Sequence, residues 1–167
     1  MNKRVLSILV DNTSGVLSRV SGLFSRRGYS IDSLTVGETE NPAYSRMTVV
    51  VHGDDQVLDQ IEKQVAKLED VRCVKVLQHG QRVCRELILV TVAVTAEERP
   101  AVVAIADIFR AKIVDVGMDT MMIELTGNQN KLNAFVKLLN GYEIIEMVRT
   151  GIAGLSRGAQ DTFDELD

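Results

Sequence analysis

Tryptophan is absent from this 167-residue chain, and aromatic residues make up only 4% of it. A core built from it is therefore aliphatic, and the stacking platforms that hold unpaired bases are missing. Positive charge is not in excess: 19 Lys and Arg against 23 Asp and Glu leave a net charge of −4. That excludes a dominant surface for nucleic acid or an anionic membrane. No apolar run exceeds strand length, so no helical span of a bilayer is expected. The opening Met1-Asn2-Lys3-Arg4 lacks the apolar stretch of a signal peptide, and a cytoplasmic location is expected. Cysteine is scarce too. Cys73 and Cys84 form no C-x-x-C pattern and are expected to remain buried or half-buried thiols.

Catalytic signatures are also lacking. The chain holds no G-x-S-x-G, H-E-x-x-H, G-x-x-x-x-G-K-[ST] or G-x-G-x-x-G, the patterns that carry nucleophiles, zinc or phosphates. His52 and His79 stand alone, and solvated rings are expected at both. The acidic pairs Asp54-Asp55, Glu69-Asp70 and Glu97-Glu98 fall at helix ends, where they cap or complement the dipole. Arg26-Arg27 reads as a solvated helix end. Met118, Met121 and Met122 read as core or hairpin packing. No catalytic residue, metal site or cofactor site is expected on this chain.

What is present is patterned apolar sequence, 46% of the residues. Val5 to Val10 reads as a strand, and Asp11-Asn12-Thr13-Ser14-Gly15 as a polar turn. Val16, Leu17, Val20, Leu23 and Phe24 repeat with the period of one helix face. Ser14 or Thr13 can cap that helix, and Gly28 suits the left-handed residue that ends it. The turn matters because a helix N-terminus offers unpaired N–H groups to a small carboxylate. A strand follows from Tyr29. Then come a strand with Met47, Val49 and Val51 on one face, a helix on Val57, Leu58, Ile61, Val65 and Leu68, and a strand over 71–78.

The same order then repeats. A strand runs from Glu86 to Val94, and a helix opened by Glu97 to Pro100 shows Ala101, Ala104, Ile105, Ile108 and Phe109. A hairpin turns at Gly117-Met118-Asp119, and Asn128 caps a helix carrying Leu132, Phe135, Val136 and Leu139 that Gly141 ends. The last strand is 142–148. The spacing predicts an α+β chain of two βαββαβ, ferredoxin-like domains in tandem. Their bounds are 1–78, a linker at 79–83, and 84–158, with an acidic tail at 159–167 expected to fray. Ile152 and Leu155 in the glycine-rich segment before that tail dock on the body or on a partner, or the segment stays loose. Domains this small, with aliphatic strands on both faces, point to a homo-oligomer.

The stretch from Leu6 to Val20 resembles the opening of ACT domains, the amino-acid-sensing modules. Gly22-Leu23-Phe24-Ser25-Arg26-Arg27-Gly28-Tyr29-Ser30-Ile31-Asp32-Ser33-Leu34-Thr35-Val36, Ser45-Arg46-Met47-Thr48 and Gly154-Leu155-Ser156-Arg157-Gly158 are similar to the small, regulatory subunit of acetohydroxyacid (acetolactate) synthase. The resemblance covers essentially the whole chain and makes its first domain an ACT domain. It implies a non-catalytic subunit of branched-chain amino acid biosynthesis. That subunit activates a catalytic large subunit and confers feedback inhibition by valine. Thiamine diphosphate, Mg and FAD are implied on that partner, and none on this chain.

The implied valine site lies between two ACT domains of a homodimer. Its first wall is Asn12, Thr13, Ser14, Gly15, Val16 and Leu17. Its second wall, from the neighbouring chain, is Ser30, Ile31, Asp32 and Leu34. Position 30 is often Asn in the family, so Ser30 is a departure that bears on effector choice. The physical chemistry agrees: N–H groups near Gly15 and Val16 suit the carboxylate, and Asn12 Oδ1 or backbone carbonyls suit the ammonium. Leu17, Ile31 or Leu34 suit the branched side chain. The rival readings are a free-standing ACT sensor acting on another partner, and an enzyme. The tail motif counts against the first and the missing constellation against the second; fold alone decides neither.

Overall fold

The computed structural model describes residues 1–158, so the expected frayed tail at 159–167 lies outside the described residues. The chain divides into two units. One is Met1–Val83 joined by residues 152–158, and the other is Cys84–Gly151.

The first unit runs β1 (Asn2–Asp11), α1 (Val16–Arg27), β2 (Ser30–Glu38), β3 (Tyr44–Gly53), α2 (Asp55–Ala66) and β4 (Val71–Val76). Its sheet has the order β2-β3-β1-β4 with antiparallel neighbours. Alternation explains the layering. Leu6, Ile8 and Val10 of β1 and Met47, Val49 and Val51 of β3 face Val16, Val20, Leu23 and Phe24 of α1 and Leu58, Ile61 and Val65 of α2. Val5, Leu9 and Val50 on the opposite face are buried as well. There Arg46 Nη1 donates to the hydroxyl of buried Ser7 at 3.0 Å.

Helix α1 is bounded differently from the sequence reading at one end. Neither Thr13 nor Ser14 caps it. Gly15 is the N-cap, in the left-handed region at φ 83°, with no side-chain cap bond. The turn closes through backbone that only glycine adopts cheaply, so no hydroxyl is needed there. At the other end Gly28 is left-handed as expected, and the amides of Gly28 and Tyr29 donate to the carbonyls of Ser25 and Phe24. Leu17, placed on the buried face by its spacing, is 45% exposed.

The second unit repeats the plan: β5 (Arg82–Ala93), α3 (Arg99–Ile108), β6 (Lys112–Val116), β7 (Thr120–Gly127), α4 (Gln129–Leu138) and β8 (Glu143–Arg149). Its strand order, β6-β7-β5-β8, is that of the first sheet element for element. Strand β5 starts at Arg82, four residues before the expected Glu86, because a turn at 79–81 suffices to reverse the chain. Helix α3 is rotated from its expected face. Val102 and Ala106 are buried while Ile108 is exposed. Ala101 and Ala104 carry too little apolar area to set the face, and Ile105 and Phe109 join the Val102/Ala106 stripe instead. Thr95 and Glu98 exchange side-chain and backbone hydrogen bonds at its start, a capping box. Inside this unit Glu86 is buried and held by Arg149 Nη2 at 2.6 Å.

Residues 152–157 group with the first unit, and β9 (Ala153–Ser156) pairs with β5. The amide of Ile152 donates to Ser33 Oγ at 2.7 Å, and Thr35 Oγ1 donates to the Ile152 carbonyl at 3.0 Å. The amide of Gly154 donates to Thr48 Oγ1 at 3.3 Å, and that of Arg157 to the Gln81 carbonyl at 2.8 Å. Of the three outcomes left open for this segment, docking on the body is the one seen. It is made by backbone groups; Leu155 stays 60% exposed and is no anchor.

Candidate functional site

The β1–α1 turn presents Thr13, Ser14, Gly15 and Leu17 to solvent, with Val16 buried beneath them. The first amides of α1 open on this side, and no acidic residue occupies the first turn of the helix. The turn is thus an uncontested place for a small carboxylate. Asn12 behaves otherwise. Its Nδ2 donates to the Pro42 carbonyl at 3.0 Å and its Oδ1 accepts from Ser45 Oγ at 3.0 Å. Its amide donates to the Ala43 carbonyl at 2.8 Å. Asn12 therefore ties the turn to the β2–β3 hairpin, and Oδ1 keeps one lone pair for a further donor.

Ser30, Ile31, Asp32 and Leu34 lie on β2, at the edge of the sheet. The β2–β3 register shifts between Ile31 and Ser33, so Asp32 sits in a bulge. Its carboxylate is 2.6 Å from His52 Nδ1 and 3.4 Å from Lys3 Nζ. His52 is thus partnered and only partly exposed, which corrects the expectation of a solvated ring; β3 places it directly opposite the start of β2. His79 is exposed. Leu34 packs partly against the core, whereas Ile31 is exposed.

Within one chain these two groups do not meet. Ser30 pairs with His52, whereas Glu38, at the far end of β2, pairs with Ser45, the residue that bonds Asn12. Eight steps along a strand separate the ends, roughly 27 Å at the usual rise per residue.

The structure adds a charged frame that the sequence reading missed. Arg72 forks onto Asp11 at 2.7 and 2.8 Å. Arg19 is paired with Asp70 through Nε, and through Nη2 at 3.1 Å. The hydrogen bond from Arg19, helped by the charges of Arg19 and Arg72, holds the Asp70 carboxyl below its ordinary range against a desolvation that acts the other way. The same contacts raise Arg19, through its bond to Asp70, and Arg72, through its bond to Asp11. Asp70, read from sequence as one of a pair at a helix end, is instead the partner of an arginine 51 residues away.

Among the described residues, no group of three or more His, Cys, Asp or Glu could hold a metal ion. No described helix is long and apolar enough to cross a membrane. Cys73 and Cys84 are half-buried thiols.

Comparison with known proteins agrees along nearly the whole chain. Residues 6–73 match the family described as "AHAS small subunit-like ACT domain", and residues 85–158 match "Small subunit of acetolactate synthase". The chain is 46% identical over 157 residues to the probable acetolactate synthase small subunit of Methanothermobacter thermautotrophicus, covering 93% of this chain and 94% of that one. It is 46% identical over 157 residues to the acetolactate synthase isozyme 3 small subunit of Escherichia coli, covering 93% and 96%. The crystal structure of the acetolactate synthase small subunit from Thermotoga maritima superposes with a TM-score of 0.89 at 40% identity, covering 96% of this chain and 100% of that one.

Proposed function

Because this chain belongs to the acetolactate synthase small-subunit family, we propose that it activates a catalytic large subunit and confers feedback inhibition by valine on it. The observation that carries the effector reading is the separation of the two walls by the length of β2. A turn with open helix amides stands at one end, and an apolar residue and a bulged aspartate stand at the other. Pairing two β2 edges antiparallel about a two-fold axis sets the Ser30 end of one copy beside the turn of the other. Such a pairing is isologous and completes two sites at once.

The chemistry at such a site follows from the groups present. Amides at the start of α1 face the valine carboxylate. Asn12 Oδ1 and the backbone carbonyls of the turn accept from the ammonium. Leu17 and Ile31, both exposed in the single chain, close on the isopropyl group and lose water as they do so. Asp32, already engaged by His52 and Lys3, shapes the second wall rather than supplying a free charge. The reaction itself belongs to the large subunit, where thiamine diphosphate, Mg and FAD are placed. A homodimer in the cytoplasm, working beside that enzyme, completes the reading.

Reconstitution tests it. The purified chain alone should form no acetolactate from pyruvate. Added to a thiamine-diphosphate large subunit, it should raise the rate and make it valine-sensitive, and calorimetry on the chain alone should show valine uptake. A chain that binds the large subunit yet takes up no valine and transmits no inhibition would exclude the effector assignment.

A further inference from the structure

A single short segment, residues 70–72, grips the β1–α1 turn on both flanks. The Asp70 carbonyl accepts from the Asp11 amide at 2.9 Å, and the Asp70 carboxylate holds the guanidinium of Arg19. Arg19 Nη2 in turn donates to the Ser14 carbonyl at 3.3 Å. Two residues on, Arg72 fixes the Asp11 carboxylate. The guanidinium of Arg19 also fills the space above Gly15: a Cβ built there would stand 2.8 Å from Nη1.

We propose that Asp70 and Arg19 are a positioning pair that sets the shape of the effector turn, so that effector affinity depends on their ion pair. This rests on reading the turn as the effector site. The Arg19 side chain is 51% exposed and that of Asp70 16%, so water reaches the pair from the Arg19 side and its contribution to global stability is modest. Its geometric effect is larger than its energetic one. The fork fixes the Ser14 carbonyl and screens Gly15 from one side. It thereby determines from which direction an amino acid reaches the first amides of α1. Because Asp70 lies just beyond α2 and before β4, the pair also ties the effector turn to that connection. Occupancy of the turn is thus felt by an element outside the site.

The test is a double-mutant cycle on the full chain. Valine affinity is read by calorimetry, and half-inhibitory valine concentration is read in the reconstituted holoenzyme. Arg19→Gln and Asp70→Asn should each weaken valine binding about fivefold to tenfold, the scale of coupling inside one ion-pair network. The double variant should be no weaker than the worse single variant. Inhibition at saturating valine should reach the wild-type extent, since the pair positions the site and does not transmit the signal alone. Arg4→Gln, which breaks the exposed Arg4–Asp59 pair elsewhere in the same unit, should leave affinity unchanged. Single variants with wild-type affinity overturn the inference, as do losses that multiply in the double variant or that coincide with dissociation of the dimer. A wild-type chain that takes up no valine overturns the effector reading and this inference with it. Wild-type uptake beside unmoved variants overturns this inference alone.

Discussion

Gly15 carries two constraints at once: a left-handed backbone, and a guanidinium where its side chain would be. Gly15→Asp meets both. The left-handed conformation costs a non-glycine residue about 1–2 kcal/mol, while a carboxylate at a helix N-terminus recovers part of that through the dipole. The helix should survive with a melting temperature lowered by about 5 °C. The new carboxylate competes with Asp70 for Arg19 and occupies the place of the effector's own charge. Calorimetric valine uptake should vanish while the variant still raises the large subunit's rate; unchanged affinity would place the effector elsewhere. The pH dependence has a definite sign. A depressed Asp70 carboxyl contributes fully above the pKa of its unfolded form and is lost only as acid reaches its folded value. The raised arginines are already charged. Between about pH 6 and 8, valine affinity should therefore not change through this pair, whereas added salt should weaken it. Titrations across pH and ionic strength separate the two. Gly28 was legible in the sequence as the left-handed residue past a helix, whereas the left-handed N-cap at Gly15 was not, because the hydroxyls of Thr13 and Ser14 beside it offer an ordinary cap. The Arg19–Asp70 pair was not, because 51 residues separate two charges that each look like ordinary helix-end decoration.

At the scale of elements, period and punctuation revealed nearly everything. Both βαββαβ repeats follow from alternation in the strands and one apolar stripe per helix. Where the stripe was thin the reading slipped, as in α3, whose alanines do not define a face. What periodicity cannot show is which strand ends at an edge, because edge and centre differ in pairing rather than in pattern. Strand β2 is such an edge, and Val36 is 48% exposed on it, opposite Met47 on the helix-facing side. Exposed edges with apolar side chains invite pairing, and a charge there discourages it. Val36→Glu should leave the folded chain intact, since the side chain is already half in water. On the proposed edge-to-edge dimer it should shift the equilibrium toward monomer at micromolar concentration and weaken valine binding about tenfold or more, because the proposed site draws on two chains. Sedimentation measured beside calorimetry checks this. A monomeric variant that binds valine normally would show that one chain holds the whole site.

At the scale of the molecule, the first unit is not a contiguous stretch of sequence. Residues 152–157 complete it by placing the backbone of Ile152 and Gly154 on Ser33, Thr35 and Thr48. Nothing in Gly151-Ile152-Ala153-Gly154-Leu155-Ser156 announces this. The segment has no period, and its partners are hydroxyls 106 to 119 residues earlier in the chain. Ser33 and Thr35 alternate along β2 with Asp32 and Leu34 of the proposed second wall, so the docked segment and that wall share one strand. A chain ending at Gln78 keeps every residue of both walls and loses what holds the back of β2. It also removes the Gly154 amide that donates to Thr48 Oγ1. Such a truncation should still take up some valine, yet melt at lower temperature and fail to confer full inhibition on the large subunit. Ser33→Ala with Thr35→Val in the full-length chain separates the two causes, because it removes the two hydroxyl contacts to Ile152 and leaves the Gly154–Thr48 and Arg157–Gln81 bonds and the second unit in place. It should lower the maximal inhibition more than it lowers valine affinity. If the truncated chain both activates and confers full valine sensitivity, the return of the chain onto β2 plays no part in regulation, and the second unit with it.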